Sequence, residues 1–140
     1  MITRKASKIL AVDDTLDNLL LLEAVFSEEN YQIIFAEDGK TAIELALQHL
    51  PDLILLDVMM PGMNGYEVTK LIRQNPKTKH IPILLLTAQG KTTEAESSYA
   101  GADGILYKPF DIEGLLQKTR ELLQKTRDVL EQERSRARAQ

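Results

Sequence analysis

The chain contains no cysteine, which excludes disulfides, thiolate metal sites and cysteine nucleophiles. Glycine is sparse, with seven residues, and forms neither G-x-G-x-x-G nor G-x-x-x-x-G-K-[ST]. A dinucleotide or nucleoside triphosphate site is therefore not expected. Positive charge is not in excess: the net charge is -4 and the pI about 5.2, so there is no electrostatic footprint for nucleic acid. No apolar run approaches the roughly 18 residues of a membrane span. Met1-Ile2-Thr3-Arg4-Lys5 leads straight into a strand, without an apolar segment of signal-peptide type. These absences predict a cytoplasmic, soluble protein that engages neither membrane nor nucleic acid.

What is present is a folding pattern. At 140 residues and 44% apolar content, the chain suits one globular domain that buries about two thirds of its unfolded surface. Short apolar runs alternate with helical spacings five times. The strand-like runs are Ile9–Val12, Tyr31–Ala36, Leu53–Leu56, Ile83–Leu86 and Ile105–Tyr107. Helical patterns occupy Leu16–Glu28 (apolar Leu16, Leu19, Leu20, Ala24 and Phe26), Thr41–Leu50, Tyr66–Gln74 and a weaker Thr92–Ala100. A last helix, capped by Asp111, reaches about Arg134. Five βα repeats with short loops predict a parallel sheet with right-handed crossovers and helices on both faces. A closed eight-fold barrel needs about 250 residues. The expected fold is therefore α/β, a flavodoxin-like doubly wound (βα)5 with strand order 2-1-3-4-5.

That order places the switch point between the first and third strands, so Asp13, Asp14 and Asp57 converge at one sheet edge. Three carboxylates there repel one another unless a cation neutralises them. Hard oxygen ligands without cysteine favour Mg²⁺ or Mn²⁺ over zinc. A metal also permits an aspartate to attack a phosphoryl group, with Lys108 and Thr87, at the ends of two other strands, free to hold the phosphoryl oxygens. Taken singly, each residue has a plainer reading as a cap, a turn or a strand-end hydroxyl.

Asp13-Asp14, Asp57 followed by Val-Met-Met-Pro-Gly-Met-Asn-Gly, Thr87-Ala88 and Lys108-Pro109-Phe110 resemble the receiver domain of two-component response regulators, over about residues 7–125. The resemblance implies that Asp57 is a phosphoacceptor served by a histidine kinase or histidine phosphotransfer protein. It further implies that Asp14, Asp57 and the Met59 backbone carbonyl ligate Mg²⁺, with Asp13 acting through metal-bound water. Lys108 and Thr87 then contact the phosphoryl group, Ala88 leaves access to Asp57, and the Lys108–Pro109 bond is cis. One position departs from the family pattern: Ile105 stands where a Tyr or Phe is usual, three residues before the lysine, so an aromatic relay to Thr87 is not expected there. Tyr107, the nearest aromatic, should face away from Lys108 by strand alternation. His49 and His80 read as surface residues, and Met59, Met60 and Met63 as packing.

The receiver domain is expected over residues 1–125, with 126–140 extending the last helix. Leu-Gln-Lys-Thr-Arg occurs twice in that helix, at 116–120 and 123–127. Its apolar rows are Leu115, Leu122, Val129 and Leu116, Leu123, Leu130. One row can pack on the sheet, and the distal part is expected to project as a coiled-coil element, a helix that either links to further chain or forms a homodimer. Two other functions fit less of the sequence. One is a scaffold that keeps the fold and ignores phosphate. The other is a Mg²⁺-dependent phosphohydrolase with an aspartate nucleophile, for which Met59 stands where a second Asp would be needed.

Overall fold

The computed structural model describes residues 6–88 and 101–139. Five strands form one parallel sheet: β1 (Lys8–Val12), β2 (Gln32–Ala36), β3 (Leu53–Asp57), β4 (Ile83–Ala88) and β5 (Gly104–Lys108). Their order is β2-β1-β3-β4-β5, as the repeat pattern predicts. The predicted helix Thr92–Ala100 lies outside the described residues. The four helices described are α1 (Leu16–Glu28), α2 (Gly39–His49), α3 (Gly65–Gln74) and α4 (Ile112–Ala139).

Every residue of β3 is buried, and β4 is buried through Thr87, because both lie inside the sheet with helices above and below. Strand alternation divides the core in two. Leu10, Val12, Ile54, Leu56 and Leu85 pack with α2 and α3. Ile9, Ala11, Leu55, Leu84 and Leu86 pack with α1 and the first half of α4. Local chemistry sets the helix starts. The Asp38 side chain accepts the Thr41 N–H at 2.7 Å, and Asn64 and Asp111 cap α3 and α4 in the same way. Leu50 closes α2 in the left-handed region, at φ 47°.

Three details differ from the sequence expectation. In α1, Leu19, Leu22 and Phe26 face the sheet, while Leu16 and Leu20 are exposed. In α4 both apolar rows pack over the first turns, through Leu115, Leu116, Leu122 and Leu123. The helix also runs five residues past Arg134, to Ala139, and all residues from Arg127 to Ala139 are exposed. Among the described residues, no helix is long and apolar enough to cross a membrane.

Candidate functional site

β1 and β3 are hydrogen-bonded neighbours in register, so their C-terminal ends deliver Asp13, Asp14 and Asp57 to the same edge. Carboxylate oxygens of the three lie within 4.8 Å of one another. Asp13 and Asp57 are buried, 3% and 5% exposed, whereas Asp14 faces solvent. β5 contributes Lys108, whose Nζ stands 3.8 Å from Asp13 Oδ2 and 3.9 Å from Asp57 Oδ1. The two buried carboxylates thus share one ammonium.

The two buried carboxylates are held differently. Asp13 accepts the Thr15 N–H at 2.9 Å on Oδ1 and the Asn18 side-chain amide at 3.2 Å on Oδ2, so the start of α1 fixes it. Asp57 accepts the Met59 N–H at 3.1 Å on Oδ1. Among the described residues its Oδ2 accepts no hydrogen bond. Burial raises the Asp57 pKa above the usual carboxylate value, and the charges of Asp13 and Asp14 add to the rise. Lys108 and the Met59 N–H act in the opposite direction. A buried carboxylate beside two others is a group that gains from a cation. The donor set, all carboxylate oxygen, fits Mg²⁺.

Thr87, the penultimate residue of β4, is fully buried, and its hydroxyl has no hydrogen-bond partner among the described residues. In register, Thr87 pairs with Tyr107 and Ala88 with Lys108. Paired residues of a sheet share a face, so the aromatic ring beside Thr87 in the sheet is Tyr107. Ile105 instead packs into the core on the α2–α3 side. The Lys108–Pro109 peptide bond is cis. Of the three methionines that follow Asp57, Met60 and Met63 join that core, while Met59 is 54% exposed and is not packing. Met59 and Met60 help line a cleft of about 700 Å³ with Asp14, Asn64 and Tyr66. His80 is exposed and His49 half-buried, both away from the carboxylates.

Sequence reasoning missed Gly65 and Asn18. The Gly65 N–H donates to Val58 O at 3.0 Å. A Cβ built on Gly65 would lie 2.7 Å from the Asp57 carbonyl oxygen and 2.8 Å from Val58 Cα. The glycine therefore lets the start of α3 seat directly against the backbone of the acceptor strand. Its place in the Pro-Gly-Met-Asn-Gly turn was visible, but the contact it serves was not. Asn18 carried no local signal, because its role is to hold Asp13.

The profile of the response regulator receiver domain matches residues 9–120. The chain belongs to the response regulator receiver domain family. It is 43% identical over 118 residues to response regulator PleD of Caulobacter vibrioides, covering 84% of this chain and 26% of PleD. It is 41% identical over 117 residues to response regulator ArlR of Staphylococcus saprophyticus, covering 83% of this chain and 52% of ArlR. The receiver domain thus spans about a quarter to a half of these relatives. Among solved structures, chemotaxis protein CheY4 of Vibrio cholerae superposes with a TM-score of 0.79 at 34% identity, covering 84% of this chain and 99% of that one. The receiver domain of a sensor histidine kinase from Pseudomonas aeruginosa superposes at 0.78 with 29% identity, over 85% and 98%. That structure has a magnesium ion coordinated in its active site cleft.

Proposed function

We propose that Asp57 accepts a phosphoryl group from a phosphohistidine of a histidine kinase or histidine phosphotransfer protein. The observation that carries this reading is a buried strand-end carboxylate with one oxygen unpartnered among the described residues, an ammonium at 3.9 Å and two more carboxylates within 4.8 Å. An Asp57 oxygen attacks phosphorus, the P–O bond forms, and the P–N bond breaks. The electron pair of that bond returns to the imidazole, which regains its proton from solvent. Lys108, already shared between Asp13 and Asp57, is positioned to follow the new negative charge onto the phosphoryl oxygens. Thr87 offers a hydroxyl that the described fold leaves unpartnered, so a phosphoryl oxygen would satisfy it. Asp13, Asp14, Asp57 and the Met59 carbonyl would hold Mg²⁺, or Mn²⁺ in its place. When bound, the ion supplies positive charge that neutralises the carboxylates and the incoming phosphoryl group.

In this reading residues 1–125 form the receiver domain, and 126–140 extend its last helix as a self-association element. The domain is a cytoplasmic switch that contacts proteins and neither membrane nor nucleic acid. It is not a turnover enzyme. Two residues after Asp57, where a phosphohydrolase needs an acid or base, stands the exposed thioether of Met59. Beryllofluoride with Mg²⁺ tests the proposal by calorimetry: wild type should bind stoichiometrically and Asp57→Asn should not. Equal heats from both would remove Asp57 from the site, and no heat from either would favour a phosphate-blind scaffold.

A further inference from the structure

The end of α4 lacks what usually stabilises a helix. Residues 127–139 are all exposed, a stretch of roughly 20 Å. Helices shorter than about 12–15 residues are marginal in water without tertiary packing. This stretch also holds two large apolar side chains in water, Val129 at 48% and Leu130 at 44% exposure. They continue the rows that Leu122 and Leu123 bury one heptad earlier. Beside them, a groove of about 420 Å³ opens between α4 and the loops entering β4 and β5, lined by His80, Pro82 and Asp103 on one wall and Leu122, Val129 and Leu130 on the other.

The charges flanking Val129 identify the occupant. Lys125 and Glu133, both on the groove, lie four residues either side of Val129. Among the described residues Lys125 and Glu133 make no ion pair. In a parallel, in-register pair of helices each of these groups meets its own copy, lysine on lysine and glutamate on glutamate, which is repulsive. In an antiparallel pair with its two-fold axis at Val129, Lys125 of each copy meets Glu133 of the other.

We infer that two copies of this chain associate through α4 as an antiparallel, two-fold pair centred on Val129, each copy's Val129–Leu130 knob closing the groove of the other. This rests on the reading of the C-terminal helix as a self-association element and is independent of chemistry at Asp57. It supplies the orientation that the heptad spacing alone leaves open.

The absence of cysteine makes the orientation directly testable on the full chain. Lys125→Cys and Glu133→Cys, both at exposed positions, are purified separately, checked for native circular dichroism, mixed and oxidised. The mixed disulfide should exceed either homodisulfide. Predominant homodisulfides would overturn the antiparallel arrangement while leaving self-association standing. A monomeric mass by sedimentation, with no cross-link in any mixture, would overturn both. Independently, Lys125→Glu should weaken dimerisation by roughly tenfold, and adding Glu133→Lys should restore it. Failure of the double variant to recover would also count against the pairing.

Discussion

Gly65→Ala should damage the acceptor site through the backbone. The added methyl carbon would stand 2.7 Å from the Asp57 carbonyl oxygen, 2.8 Å from Val58 Cα and 3.2 Å from the Asp57 carbonyl carbon. Non-bonded carbons rest about 3.5–4.0 Å apart, so the start of α3 must withdraw from β3 by about 0.7 Å or more. All three opposing atoms are main chain, so no rotamer change relieves the clash. Withdrawal also stretches the Gly65 N–H to Val58 carbonyl bond, now 3.0 Å. Overpacking of this kind costs about 1–3 kcal/mol, while the helix-propensity gain of alanine over glycine returns at most about 1 kcal/mol. The net expectation is a loss of about 1–2 kcal/mol in urea unfolding. Because two of the three opposing atoms belong to Asp57 itself, beryllofluoride affinity should fall even where the variant is fully folded. A Gly65→Ala protein with wild-type stability and wild-type affinity would refute this reasoning, since the α3 start and the acceptor strand would then not be in the contact described.

Further expectations concern the loop, the acceptor and the strand entries. Gly62 has φ 77° and open space around its Cβ position, so Gly62→Ala should lose roughly 1 kcal/mol through left-handed backbone strain alone, measured in urea, with little effect on beryllofluoride binding. Because the folded Asp57 pKa is raised, protonation favours the native state. Its contribution to stability is full below the unfolded pKa and is lost as pH rises through the folded value. In chelator-treated buffer at neutral pH, Asp57→Asn should therefore melt above wild type, and the advantage should vanish on acidification below the ordinary carboxylate range. Adding Mg²⁺ should narrow the gap from the wild-type side. Arg73 Nη1 donates to the Ile81 and Lys79 carbonyls at 2.7 and 3.0 Å, Nε to the Gly101 carbonyl at 2.9 Å, and Nη2 to Asp103 at 2.7 Å. Arg73→Ala should cost about 1.5–3 kcal/mol in urea unfolding, and Arg73→Lys should recover little, lacking the planar fork.

The strand order and the convergence of Asp13, Asp14, Asp57 and Lys108 were legible in the sequence because each depends on short-range pattern. A buried parallel strand reads as an apolar run, and its C-terminal residue then sits at a place fixed by topology. The α1 face was misread for a physical reason. Leu19 to Leu22 are four consecutive leucines, so the helical period leaves several faces open, and packing against Ile9 and Ala11 decides among them. The Ile105 position was legible as a departure, but that Tyr107 lies beside Thr87 followed only from the β4–β5 register. The Arg73–Asp103 pair joins residues 30 apart, and the Asn18 bond to Asp13 depends on how α1 leaves β1. Neither contact has a local signature. The heptad spacing in α4 was visible, whereas its orientation-dependent charge pairing became readable only once the exposed groove around Val129 was placed.

Phosphoryl acceptance at Asp57 is tested most directly by intact-mass spectrometry after incubation with acetyl phosphate and Mg²⁺. Wild type should gain one phosphoryl group, peptide mapping should place it on the segment containing Asp57, and Asp57→Asn should gain none. An unmodified wild type under conditions where beryllofluoride binds, or equal modification of the variant, would contradict the assignment of Asp57 as the acceptor.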